Sequence, residues 1–125
     1  MPEILCAKNA PAAIGPYSHA VWAGDLLLTS GQIPMVPETG ALVGDTVELQ
    51  TEQVLNNLEA VLSAAGLTFS NVVKTTVFIT DLADFSTINA IYATRFPQEA
   101  PARSCVQVAA LPKGAKLEIE LIAKK

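Results

Sequence analysis

Ala102-Arg103-Ser104-Cys105-Val106-Gln107-Val108-Ala109 and Lys116-Leu117-Glu118-Ile119-Glu120-Leu121-Ile122-Ala123, joined around Pro112-Lys113-Gly114, decide the reading of this fold. Both runs alternate with the two-residue period of a strand. In the second, Leu117, Ile119 and Leu121 share one face, and Glu118, Glu120 and Ile122 the other. In the first, Ser104, Val106 and Val108 alternate with Arg103, Cys105 and Gln107. Read as an antiparallel pair, with apolar matched to apolar, Val106 and Val108 join Leu117 and Ile119 in the interior. Arg103, Cys105, Glu118 and Glu120 are then expected together on the opposite face. A slip of one residue would drive both glutamates into the core.

Working outward, two amphipathic helices are expected to cover the apolar face. Over residues 46–65, Val47, Val54, Leu55, Leu58, Val61, Leu62 and Ala65 recur at three- and four-residue spacing. Asp45 is expected to cap this helix, Glu48 to serve as its capping-box acid and Gly66 to end it. Residues 84–96 read as a second helix, capped by Asp84, with Ile88, Ile91, Tyr92 and Phe96 inward. The β-branched density of residues 72–80 favours a strand. Residues 19–23 and 26–30 read as strands around Gly24-Asp25, between an ordered loop at 10–16 and a second loop marked by Gly31, Pro34, Pro37 and Gly40. The order is β-β-β-α-β-α-β-β, an α+β fold with one mixed sheet and two helices on one face. With 125 residues, the chain fits one domain spanning 1–125, since single cores organise about 100–200 residues.

Half the residues are hydrophobic and 16% charged, which excludes intrinsic disorder. The net charge of −4 argues against a protein built to grip nucleic acid, which needs clustered cations. Cys6 and Cys105 are too few for a disulfide framework, and with His19 as the single histidine no metal-ligand spacing exists. Neither a secretory signal nor a stretch able to span a bilayer is visible. The expectation is a soluble, cytoplasmic protein with no metal and no membrane partner.

Two helices leave the second sheet face bare, yet Cys105, Ala109 and Ile122 make it too apolar to be fully wet. Other copies of the chain are expected to cover it. Arg103 would then sit at a subunit boundary, where a planar guanidinium is a bidentate receptor for carboxylate or phosphate. A carboxylate on the same face, Glu118 or Glu120, could act as general base or orient a water. The same residues could also form only a cross-strand ion pair that locks an interface.

Pro101-Ala102-Arg103-Ser104-Cys105-Val106, Leu111-Pro112-Lys113 and Leu117-Glu118-Ile119-Glu120 closely resemble the C-terminal signature of the Rid/YjgF family. Ala13-Ile14-Gly15-Pro16-Tyr17-Ser18, Thr29-Ser30-Gly31-Gln32-Ile33-Pro34, Ala64-Ala65-Gly66-Leu67, Val73-Lys74-Thr75-Thr76-Val77 and Asp84-Phe85-Ser86-Thr87-Ile88-Asn89 extend the likeness over nearly the whole chain. It is similar to the RidA subgroup, whose hallmark Arg is present as Arg103. The resemblance implies a chorismate-mutase-like domain, assembled as a homotrimeric barrel through the free sheet face, with sites at the subunit interfaces. It implies an enamine/imine deaminase that hydrolyses 2-iminobutanoate or 2-iminopropanoate to the 2-oxo acid and ammonia without a cofactor. Carried onto this sequence, Arg103 would hold the substrate carboxylate and Glu118 would activate water. Tyr17, Ser30, Gly31, Asn89 and Cys105 would line the pocket. His19 and Ala100 depart from the family's usual Gln and Phe, and Ala100 would open the pocket rim. Two other readings stand beside this one: a non-catalytic trimer that binds 2-oxo acids or acts as a chaperone, and a ribonuclease acting on single-stranded RNA.

Overall fold

The computed structural model describes residues 3–125. Their elements run β1 (Glu3–Leu5), β2 (Ala20–Ala23), β3 (Leu26–Thr29), α1 (Val47–Ala64), β4 (Val72–Ile79), α2 (Phe85–Tyr92), β5 (Ala102–Gln107) and β6 (Leu117–Lys124). This is the element order expected from the sequence, β1 being the one strand to which that expectation assigns no residues. The six strands make one mixed sheet in the order β1-β2-β3-β6-β4-β5. Every neighbouring pair is antiparallel except β4 and β5.

β6 dictates this arrangement. Leu117, Ile119, Leu121 and Ala123 are all buried, so the strand takes the middle of the sheet, paired with β3 on one side and β4 on the other. Val54, Leu55, Leu58, Val61 and Leu62 of α1 and Ile88 and Tyr92 of α2 close over that row in one core. The expected hairpin between the last two strands does not form. β4 lies between them, and α2 supplies the crossover that a parallel β4–β5 pair requires.

That correction changes which residues share a face. Thr75, Val77 and Ile79 are buried beneath the helices and pair with Arg103, Cys105 and Gln107. Arg103 and Cys105 therefore lie on the helix side, not with Glu118 and Glu120. Val106, expected inside, is 45% exposed on the other face. There it neighbours Phe78, while Ile122, Leu28, Val21 and Ile4 form an apolar stripe across the same face, which no helix of the protomer covers.

The helix ends also differ from expectation. Thr46, not Asp45, caps α1, its side chain accepting a hydrogen bond from Leu49 N at 3.3 Å. This places Glu48 outside the capping-box position. Gly66 ends the helix as expected, at φ +75°. Its N–H and that of Leu67 donate to the Ser63 and Leu62 carbonyls at 3.0 and 2.9 Å. α2 stops at Tyr92 and continues as a 3-10 turn over Ala93–Arg95, because Pro97 denies Phe96 helical geometry. Asp84 makes no side-chain cap bond; Asp81 instead caps the 3-10 turn that leads into the helix.

Truncating the central row tests this architecture. Ile119→Ala is expected to cost about 2–5 kcal/mol, read as a lowered urea midpoint at unchanged slope.

Candidate active site

A break in the β3–β6 ladder builds the first part of the site. Leu28 pairs with Ile122, and Gln32 next bridges Ile119. Between these pairs the three residues Thr29, Ser30 and Gly31 stand opposite the two residues Glu120 and Leu121. Such a bulge bends the chain and re-aims its side chains. Here it carries Gly31 against Glu118, where a Cβ on residue 31 would overlap the Glu118 carboxylate. The Ser30 hydroxyl donates to the Ser18 carbonyl at 2.6 Å, tying the bulge to the loop that carries Tyr17. The Tyr17 hydroxyl accepts from Ile14 N at 3.3 Å.

His19 anchors the same loop. Its buried ring accepts at Nδ1 from Ala7 N at 2.8 Å and donates from Nε2 to the Pro11 carbonyl at 2.7 Å. Tyr17, Ser30, Gly31 and Glu118, with Ile14, Ile33 and Pro112, line a cavity of about 320 Å³. Burial pushes the Glu118 carboxyl above the ordinary carboxylate range, and the charge of Glu120 acts in the same direction. Glu118 is half-buried in this cavity, whereas Glu120 is exposed. The structure thus separates two acids that alternation alone leaves equivalent.

Arg103 occupies the second part. It lies on edge strand β5, and Nη1 donates to Asn89 Oδ1 of α2 at 2.7 Å. Its guanidinium carbon lies 4.9 Å from the Tyr92 ring centre and 5.5 Å from that of Phe85. Asn89, Tyr92, Phe96, Ala100, Pro101 and Arg103 line a cavity of about 350 Å³, completed by Ala93. Cys105, one pleat along from Arg103, packs against the core. Burial pushes its thiol up while Arg103 pulls the other way, a poor setting for a thiolate nucleophile.

The two arginines of the chain differ in one respect. Arg95 Nη2 lies 3.2 Å from the Glu52 carboxylate and 2.7 Å from Asn56 Oδ1. Among the described residues no salt bridge engages Arg103, so its positive charge is available.

The structure therefore unites Tyr17, Ser30, Gly31 and Glu118 in one cavity, and Arg103 and Asn89 in another. It does not unite the two groups, because they sit on opposite faces of the sheet. Phe85 and Tyr92, whose rings flank the Arg103 guanidinium, were missed. The signal was available: Phe85, Asn89 and Tyr92 follow four- and three-residue spacing along one helical face, the face turned to Arg103.

Fold and site define a small α+β protein that offers a cation with no ion-pair partner among the described residues on one surface and a half-buried acid on another. Residues 7–125 match the family model described as Endoribonuclease L-PSP. Over 121 residues the chain is 54% identical to Reactive Intermediate Deaminase A, chloroplastic, of Arabidopsis thaliana, covering 97% of this chain and 65% of that protein's length. It is 52% identical over 126 residues to 2-iminobutanoate/2-iminopropanoate deaminase of Salmonella typhimurium, covering 98% of each. The crystal structure of the Rid-family protein YyfA of Yersinia pestis superposes with a TM-score of 0.97 at 52% identity, over the whole of both chains. The chain belongs to the Rid family, whose model carries the name Endoribonuclease L-PSP.

Two predictions follow from the geometry around Glu118. The folded chain holds this proton more tightly than the unfolded chain, so ionisation costs stability once pH passes the ordinary Glu value of about 4.3. Glu118→Gln is expected to raise the thermal midpoint at neutral pH, and the gain should vanish below about pH 4, as followed by calorimetry. Gly31→Ala is expected to push the carboxylate out of its cavity. Carboxyl-selective NMR should then show Glu118 titrating closer to an ordinary glutamate.

Proposed function

We propose that this protein hydrolyses reactive 2-imino acids, such as 2-iminobutanoate and 2-iminopropanoate and their enamine tautomers, to 2-oxo acids and ammonia. The observation that carries this reading is the pairing of opposite needs: among the described residues Arg103 has no carboxylate partner, and Glu118 is a half-buried acid in a cavity, made a stronger base by burial. The Arg103 fork takes the substrate carboxylate. Ionised Glu118 accepts a proton from water as its oxygen bonds to the imine carbon. The same group returns that proton to nitrogen as the C–N bond breaks. A protonated imine is already electrophilic, so orientation and a general base worth about 10²–10⁴ suffice. Tyr17, Ser30, Gly31 and Asn89 shape the pocket around this exchange, and Cys105, packed against the core, sits beneath it on the strand of Arg103. The curated names of the Arabidopsis and Salmonella relatives support the reaction class.

The site is completed between copies of the chain. Two complementary surfaces that differ call for a head-to-tail interface, which closes into a ring. A homotrimer, its exposed sheet stripe turned inward as a barrel, is the assembly this reading takes. The substrate is a small molecule. Among the described residues no helix is long and apolar enough to cross a membrane.

Coupling the protein to a threonine dehydratase, with semicarbazide competing for the imine, tests the reading. Wild type should speed 2-oxobutanoate release and reduce trapped imine. Arg103→Ala should lose both effects, and Glu118→Ala should lose turnover while retaining carboxylate binding. Mixing the two inactive variants should restore about a quarter of wild-type activity, the share of head-to-tail interfaces that random assembly leaves intact. Unchanged activity in Arg103→Ala would refute the site. Binding of 2-oxobutanoate without turnover would point to a sensor, and cleavage of single-stranded RNA in its place to a nuclease.

A further inference from the structure

Among the described residues, every group that holds Arg103 is uncharged. Asn89 offers an amide oxygen at 2.7 Å, where a carboxylate would have been the stronger partner. Phe85 and Tyr92 offer ring faces, whose quadrupoles attract a cation without neutralising it. Tyr92 is itself fixed, its buried hydroxyl sharing a 2.7 Å hydrogen bond with Thr75 Oγ1 of β4. Burial pushes that phenol above its ordinary value, outweighing the opposite pulls of Thr75 and Arg103. The ring therefore stays neutral beside the cation.

We infer that Asn89, Phe85 and Tyr92 form a neutral clamp, positioning residues that fix the Arg103 guanidinium without supplying a counter-ion. Resting on the reading that Arg103 takes the substrate carboxylate, the clamp explains how a half-buried cation can be both ordered and vacant. A guanidinium carries five N–H donors in one plane, and Asn89 engages one of its nitrogens. The other donors remain for an incoming carboxylate. A flexible arginine would bind the same anion more weakly, because ordering its side chain would be charged against binding. An ion-paired arginine would first have to surrender its partner.

Three variants of the full-length protein test the clamp. Asn89→Asp keeps the shape and strengthens the hold on Arg103 but fills the receptor with the protein's own charge. Calorimetry with 2-oxobutanoate should show affinity lowered about tenfold or more, with the thermal midpoint unchanged or raised. A merely structural Asn89 would not separate those two readouts. Tyr92→Leu removes the ring and should raise KM about tenfold with a smaller change in kcat, and Tyr92→Phe should recover most of that loss. NMR of the Arg103 guanidinium gives a readout independent of substrate: slow bond rotation in wild type, fast averaging in Tyr92→Leu. Wild-type affinity in Asn89→Asp, or averaged guanidinium signals already in wild type, would overturn the clamp. An ordered guanidinium in a protein that binds no 2-oxo acid would uphold the clamp and refute the substrate assignment alone.

Discussion

The alternation of β6 is the constraint on which everything else rests. Leu117, Ile119, Leu121 and Ala123 are buried without exception, and a strand has only two faces. Placing that row beneath the helices forces Glu118 and Glu120 to the other side. It also makes β6 the central strand, which puts β5 at the edge beside β4. There the parallel register carries Arg103 to the helix side. The separation of cation and acid thus follows from how one apolar row is buried.

Local details then convert that separation into two prepared surfaces. The extra residue in the β3–β6 ladder brings a side-chain-free position against Glu118, and His19 and Ser30 tie the flanking loop in place. On the other face α2 presents three residues of one stripe to Arg103. Each surface pre-organises one charge in a partly desolvated setting, where electrostatic interactions are stronger than in water. Among the described residues, neither surface contains the complement of its own charge.

Much of this was legible in the sequence, and the failures have a common cause. Three- and four-residue spacing located the inward face of α1, and two-residue spacing sorted β6 correctly. Such periodicities report which residues of one element share a side. They carry no information on which strand lies next to which, so two strands adjacent in sequence were paired when β4 separates them. The error moved Arg103 and Val106 to the wrong faces together. Thr46 and Asp45 are both capping residues, and only the backbone path chooses between them. Arg103 and Glu118 stood out through motif likeness, whereas Tyr92 was read as core. It is core, and through its ring face it also reaches the guanidinium.

The sheet has a further consequence. No rotamer change can carry a side chain through a hydrogen-bonded backbone, so a lone protomer holds both charged groups and can never bring them to one molecule. On the proposed assembly, dilution to single protomers alone silences the protein. Removal of the imine in a cell would then rise more steeply than in proportion to the amount of protein made.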